Sequence, residues 1–216
     1  MPSIENTKQI KSRQRVADHG EVFTNPREVN AMLDLVRDES FRLDSRFLEP
    51  ACGDGNFLIE ILRRKLSLLH DIKSQMEWEF KSLIAVGSCY GIDILPDNAE
   101  ACRERLFSEV IRQAGKKNYT CGYEKSLRYM LKKNIICGDA LTYRTIEDKL
   151  IVFCEWTPIA GSMQFSRRDF QFDFLVTQSH QYSLFDEQGE ACSFDEPVRS
   201  YPPLHYTQLY RYEEQI

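Results

Sequence analysis

Several features that define other protein classes are missing from this chain of 216 residues. No two of its seven cysteines form a C-x-x-C pair, and their odd number and scattered positions argue against a disulfide framework or a zinc site. No apolar run approaches the ~18 residues of a membrane span, and the polar, basic start lacks the apolar core of a signal peptide. We therefore expect reduced thiols, no metal ion, no membrane partner and a cytoplasmic location.

A surplus of basic residues is missing as well. Lys and Arg number 28 against 33 Asp and Glu, which gives a formal net charge of -5. Proteins that bind nucleic acid usually carry a basic footprint, so we expect the isolated chain to bind DNA weakly. Hydrophobic residues make up 42% and charged residues 28% of the chain, which is ordinary for a globular protein with a sizeable core.

Hydrophobic periodicity and chain punctuation predict alternating helices and strands. Asn25 is placed to cap a helix that begins at Pro26, and further helices are expected at about 56–70, 96–114 and 123–132. Strands are expected near 46–49, over the apolar run 82–93, at 134–137 and at 172–176. This alternation predicts an α/β fold with a parallel sheet and helices on both of its faces.

The most informative stretch, residues 47–58, has the pattern of a short strand, an acid, a glycine turn and an amphipathic helix. Gly53 and Gly55 allow the backbone to approach a ligand closely, because no Cβ intrudes. The full G-x-G-x-x-G pattern of dinucleotide-binding proteins is absent. A carboxylate at Glu49 would repel a pyrophosphate and attract an ammonium group, such as the amino group of S-adenosylmethionine.

Two further acids follow the next two predicted strands. Asp93 is placed to accept hydrogen bonds from both ribose hydroxyls of a nucleoside, and Asp139 is placed to accept one from an adenine amino group. Either acid alone is a routine turn residue. Three acids at the ends of three successive strands favour a nucleoside-binding site.

The string Glu-Pro-Ala-Cys-Gly-Asp-Gly, residues 49–55, resembles the first motif of bacterial N6-adenine-specific DNA methyltransferases of restriction–modification systems. The string His-Gly-Glu-Val-Phe-Thr-Asn-Pro, residues 19–26, looks like the N-terminal cofactor motif of the same family. The resemblance implies a Rossmann-like methyltransferase fold, S-adenosyl-L-methionine as cofactor, and a DNA substrate. The cofactor-binding residues that it implies are Phe23, Thr24, Glu49, Ala51, Gly53, Gly55, Asp93, Ile94, Asp139 and Ala140.

The catalytic motif of that family is missing in recognisable form. The family carries Asn/Asp-Pro-Pro-Tyr/Phe after its fourth strand, where the ring stacks on a flipped base. Here residues 177–182 read Thr-Gln-Ser-His-Gln-Tyr, which leaves Gln178 and Tyr182 as the candidate catalytic residues without the rigid double-proline turn. The Pro-Pro pair at 202–203 lies well past this point and is expected in an extended linker.

Three segments follow from these patterns. We expect an N-terminal arm with the cofactor motif at 1–25, a methyltransferase-like domain at 26–182 and an irregular C-terminal tail at 183–216. The sheet is expected to be incomplete, stopping at about four strands, so that the tail or a partner chain must cover its fourth strand.

The function predicted from the resemblance is a DNA adenine-N6 methyltransferase-like protein that binds S-adenosylmethionine. We expect it to be degenerate or truncated, inactive in isolation, and part of a restriction–modification or phage-defence assembly. An active adenine-N6 methyltransferase with an atypical catalytic loop, or one completed by a partner chain, is an alternative. A methyltransferase acting on RNA or on a small molecule is another.

Overall fold

A computed structural model of the protein describes residues 14–15, 24–115, 119–173 and 197–215. Within these ranges the chain has a mixed α/β fold with two sheets. Phe23, Gln178 and Tyr182 lie outside the described residues, as does the C-terminal part of the strand predicted at 172–176.

The helices and strands alternate along the first two thirds of the chain, and strands dominate the remainder. The helices are α1 (Pro26–Leu35), α2 (Arg37–Ser40), α3 (Asn56–Ser67), α4 (Gln75–Gly87), α5 (Pro96–Ala114) and α6 (Cys121–Asn134), and a 3-10 helix spans Tyr206–Gln215. The strands are β1 (Phe47–Glu49), β2 (Cys89–Asp93), β3 (Ile135–Asp139), β4 (Arg144–Thr145), β5 (Val152–Pro158), β6 (Gln164–Gln171) and β7 (Arg199–His205).

The first sheet has the strand order β1-β2-β3-β4. The first three strands are parallel, and β4 is antiparallel to β3. Helices α3 and α4 connect β1 to β2, and α5 and α6 connect β2 to β3. The long crossovers let β1, β2 and β3 run in the same direction. Their carboxyl ends therefore lie together at one edge of the sheet.

Local signals in the sequence account for several helix starts. The Asn25 side chain accepts a hydrogen bond from the Arg27 N–H, with Pro26 at the first helical position of α1. Thr120 caps α6 in the same way by accepting from the Tyr123 N–H. Helix α5 begins at Pro96, as its proline predicts.

The second sheet is antiparallel, with the order β5-β6-β7, and it packs against α4 and α6 and, through the Phe153 and Tyr90 rings, against β2. Trp156 of β5 is buried and donates a hydrogen bond from its indole N–H to Asn134 Oδ1. The Tyr90 hydroxyl of β2 donates to the Cys154 carbonyl at 2.9 Å. The 3-10 helix closes this core with Tyr206, Leu209 and Tyr212, all fully buried.

The structure corrects the strand predicted over 82–93. Helix α4 continues to Gly87, and only Cys89–Asp93 forms a strand. An apolar run that is buried on all sides has no periodicity that distinguishes a helix from a strand. The hydrophobic pattern therefore does not show that the helix ends and the strand begins at Ser88.

The strand predicted at 172–176 is also corrected where it is described. Strand β6 ends at Gln171, and Phe172 and Asp173 are helical. The fourth strand of the first sheet is β4, which pairs with β3. Strands β5 and β6 of the second sheet occupy residues 152–158 and 164–171, where no strand was predicted.

The described part of the C-terminal tail is regular, contrary to the prediction of an irregular segment at 183–216. Residues 199–205 form β7 and residues 206–215 form the 3-10 helix. The Pro202-Pro203 pair lies within β7, where we expected a linker. Strand β7 is at the edge of its sheet, and an edge strand tolerates proline because its outward N–H positions need no ladder partner.

Six cysteines fall in the described ranges, and all six are free thiols. Among the described helices, none has the length and apolar character needed to cross a bilayer.

Candidate functional site

Glu49, Asp93 and Asp139 are the last residues of β1, β2 and β3. Glu49 is paired in register with Gly91, two residues before Asp93, and Asp93 is paired with Cys137, two residues before Asp139. Paired residues of neighbouring strands point to the same face, so the three carboxyl groups lie on one face of the sheet. Each acid is about 8 Å from the next along a diagonal, by standard strand spacings. This line suits a ligand as long as a nucleoside joined to an amino acid.

A cavity of about 500 Å³ opens at this edge of the sheet. Its size is in the range of small-molecule sites. The glycine turn, the first residues of α3 and α5, and the chain after β3 form its walls. The lining residues are Thr24, Glu49, Pro50, Ala51, Cys52, Gly53, Asn56, Phe57, Asp93, Ile94, Leu95, Asn98, Gly138, Asp139, Ala140 and Leu141.

The turn between β1 and α3 has a backbone that favours glycine. Gly53 has φ 54° and Gly55 has φ 95°, both in the region that side chains disfavour. A Cβ on Gly55 would also lie 2.7 Å from Cys102 Sγ of α5. The two glycines therefore let the turn curl tightly above α5 while its backbone lines the cavity.

Asp93 holds the turn in place. Its Oδ2 accepts a hydrogen bond from the Gly53 N–H at 2.9 Å, and its Oδ1 accepts from the Leu95 N–H and from Asn98 Nδ2. A carboxylate has roughly four lone-pair sites. Three are in use within the protein, so about one remains for a ligand. A ribose with two hydroxyl donors would need a second acceptor beside Asp93.

The other two acids differ in their surroundings. Burial raises the pKa of Glu49, and a hydrogen bond with the backbone of Ala51 lowers it in part. A cationic ligand group would compensate the desolvated carboxylate. Asp139 is half-buried, and its Oδ1 accepts a hydrogen bond from the Leu141 N–H at 2.8 Å. This hydrogen bond closes a turn that directs the chain after β3 along the rim of the cavity.

Apolar side chains flank the mouth of the cavity. Ile94 is 49% exposed and Leu141 is 89% exposed, although both line a concave site. Exposed aliphatic side chains beside a pocket are a surface on which a flat aromatic group can be buried. Cys52, by contrast, is buried, and both a hydrogen bond with Cys102 and burial raise the pKa of its thiol, so it is not a poised nucleophile.

Some of the residues predicted from the sequence line the cavity, one shapes its turn, and three lie outside the described ranges. Thr24, Glu49, Ala51, Gly53, Asp93, Ile94, Asp139 and Ala140 all line the cavity, and Gly55 shapes its turn. Phe23 and the catalytic candidates Gln178 and Tyr182 lie outside the described ranges. Asn98 and Asn56 were missed, although Asn98 lies five residues after Asp93, within reach of its carboxylate.

The arrangement can bind a ligand that offers hydrogen-bond donors or positive charge to a row of carboxylates and an apolar group to the rim. No protein family, curated protein or solved structure matches the chain.

Proposed function

We propose that the protein binds S-adenosylmethionine as a DNA adenine-N6 methyltransferase-like protein. The observation that carries the proposal is the diagonal of Glu49, Asp93 and Asp139 across one cavity. The order of these acids agrees with an amino-acid end over β1, a ribose over β2 and an adenine over β3. A dinucleotide is disfavoured, because its pyrophosphate would lie against carboxylates.

The residues present fit this cofactor in their chemistry. Glu49 would hold the amino group, Asp93 would accept from one ribose hydroxyl, and Asp139 would accept from the adenine amino group. Ile94 and Leu141 would cover the adenine ring. The bound cofactor supplies an activated methyl group. The chain's own residues bind and orient it, and they withdraw part of its surface from water.

We further propose that the chain is a degenerate methyltransferase-like protein that acts within a restriction–modification or phage-defence assembly. Residues 177–182 lack the double proline that would hold an amide and an aromatic ring on a target base. The overall charge of -5 gives no long-range attraction for a DNA backbone. Both properties favour a role in which the cofactor is bound here and DNA contacts come from elsewhere.

One observation favours the alternative in which a partner chain completes the enzyme. Among the described strands, β1 pairs only with β2, so its outer edge is not part of a ladder. The Leu48 side chain on β1 is 44% exposed beside this edge. An unpaired strand next to a cofactor site is a place where a partner strand can add by backbone hydrogen bonds.

Titration calorimetry with S-adenosylmethionine and with S-adenosylhomocysteine tests the proposal. We expect binding of both, and we expect Asp93→Ala to weaken it by about 1–3 kcal/mol, since ligand and turn donors lose their acceptor. Asp71→Ala is the matched control, because Asp71 is 87% exposed and does not line the cavity. Absence of heat and of any thermal shift at millimolar ligand would refute cofactor binding.

A further inference from the structure

The guanidinium group of Arg105 on α5 contacts three oxygen atoms of the glycine turn. One terminal nitrogen donates to the Asp54 carbonyl at 2.8 Å and forms an ion pair with Asp54 Oδ2, which lies 2.6 Å away. The other donates to Asn56 Oδ1 at 3.0 Å. Arg105 therefore spans the turn from its middle to the first residue of α3, and it does so from outside the cavity, whose lining does not include it.

Asn56 carries this constraint into the cavity. Because its Oδ1 accepts from Arg105, its Nδ2 points the other way and donates to the Thr24 carbonyl at 3.2 Å. Asn56 and Thr24 both line the cavity. A single side chain on α5 thus fixes the orientation of an amide that joins the turn to the segment before α1.

Asp54 makes the turn dependent on Arg105. Within the described residues, Asp54 Oδ1 is buried and has no hydrogen-bond partner. The carboxylate charge is therefore balanced through Oδ2 and Arg105. If Arg105 is removed, the carboxylate loses its counter-charge while Oδ1 is still unpaired, and Oδ1 can gain hydrogen bonds only when the turn opens to water.

Cys102 supports the same turn one helical turn earlier on α5. Its Sγ fills the space where a Cβ on Gly55 would lie, and residues three apart on a helix share one face. The turn thus rests on α5 through a packed thiol and a hydrogen-bonded guanidinium. The side chains of Arg105 and Asp54 are 38% and 25% exposed, and such pairs add little to global stability.

We infer that Arg105 is a positioning residue, which holds the glycine turn in its ligand-binding shape and so sets the affinity of the cavity. Its effect is on preorganisation, because a turn that is already ordered loses less freedom when a ligand binds. The effect on affinity rests on the proposed function, whereas the effect on the turn does not.

Arg105→Met, which keeps an aliphatic stem and removes the guanidinium, tests the inference. We expect S-adenosylmethionine to bind about tenfold more weakly in calorimetry, which corresponds to about 1.4 kcal/mol. The melting temperature should fall by no more than about 2–4 °C. Amide hydrogen exchange of a peptide covering residues 50–58 should accelerate, because the turn opens more often.

Matched variants separate positioning from general damage. Arg112→Met on the same helix removes a guanidinium bonded to Glu109, and it should leave affinity and exchange of the turn unchanged. Arg105→Lys should restore part of the affinity through one bond to Asp54. Asp54→Asn in the Arg105→Met background should slow the exchange again, because it removes the unbalanced charge.

The outcomes for the two proposals are distinct. If the wild-type protein binds S-adenosylmethionine and Arg105→Met binds it equally well, the positioning role is wrong and the proposed function stands. If the wild type does not bind, the proposed function fails, and exchange of the turn decides the inference. Unchanged exchange in Arg105→Met would overturn it in either case.

Discussion

The carboxyl group of Glu49 serves two opposing requirements at the end of β1. Burial raises its pKa, although a hydrogen bond with the Ala51 backbone opposes the shift, so burial makes ionisation costly. The proposed ammonium ligand requires the ionised form. A residue whose charge is costly without a ligand and needed with one is typical of a binding site.

Glu49→Gln should therefore change binding and stability in opposite directions. Binding of S-adenosylmethionine at neutral pH should weaken by about 1.5–3 kcal/mol, the value of a charge-assisted hydrogen bond. In the wild type, affinity should fall as the pH drops through the raised pKa of Glu49, since the ligand's α-amino group stays protonated there. In the variant this dependence should be lost, as calorimetry between neutral and acidic pH would show.

The same variant without ligand should be more stable than the wild type at neutral pH. A group whose pKa is higher in the folded than in the unfolded state contributes stability below its unfolded pKa, and this contribution is lost as the pH rises through the folded pKa. Glutamine does not titrate and avoids that loss. Urea denaturation of Glu49→Gln tests this, with Glu104→Gln on the exposed side of α5 as control. The account is contradicted if Glu49→Gln gains no more stability than the control.

Between elements, a buried ion pair connects β6 to α6 and β7. Arg167 donates two hydrogen bonds to Asp169, at 2.7 Å each, and a third to the Tyr129 hydroxyl at 2.6 Å. Its guanidinium lies 4.4 Å from the centroid of the Tyr201 ring. Both charged side chains are less than a tenth exposed. The second sheet thus docks on the helices through a hydrogen-bonded cation as well as through apolar contacts.

Asp169→Asn should lower the free energy of unfolding by about 3–5 kcal/mol, because it leaves the buried Arg167 cation without its counter-charge. Asp148→Asn is the control. Asp148 is 87% exposed, its left-handed backbone (φ 61°) suits asparagine, and its effect should stay within about 0.5 kcal/mol. Equal midpoints for the two variants in urea would show that the ion pair does not hold the second sheet.

At the scale of the whole molecule, the described ranges contain a cofactor-sized cavity but no recognisable transfer machinery beside it. Of the three strands that end at the site, β1 pairs only with β2 among the described strands, which makes it an edge strand. Transfer to an exocyclic nitrogen depends on acceptors held in place, and small displacements there can cost about a hundredfold in rate.

We expect the isolated chain not to methylate adenine in DNA. Purified protein, radiolabelled cofactor and DNA of varied sequence should give no labelled N6-methyladenine. Label that appears only after addition of a candidate partner chain would support a cofactor-binding half-enzyme. Label without a partner would refute the inactive interpretation.

Binding to duplex DNA should be weak and without sequence preference. With a net charge of -5, affinity rests on local contacts with phosphates and should fall steeply as salt increases. Gel shifts at two salt concentrations measure this. A tight complex on one sequence at physiological salt would point to a direct DNA-modifying role.

The sequence alone determined the local features of the site. Asn25 and Pro26 marked the start of α1, Pro96 marked the start of α5, glycines marked the turn after β1, and an acid ended each of three strands. These signals are local, because a cap, a tight turn or a strand end is decided by a few neighbouring residues. Hence most predicted cavity residues are found in one cavity.

Only the tertiary structure decided the second sheet and the support of the turn. Strand β6 has Arg167 and Asp169 on its buried side, so its sequence alternation looks polar, and the two charges are acceptable there only because they pair with each other. Arg105 and the glycine turn lie about fifty residues apart in the chain and meet only through the packing of α5 on α3. Such contacts join distant segments, and no short window of sequence contains both partners.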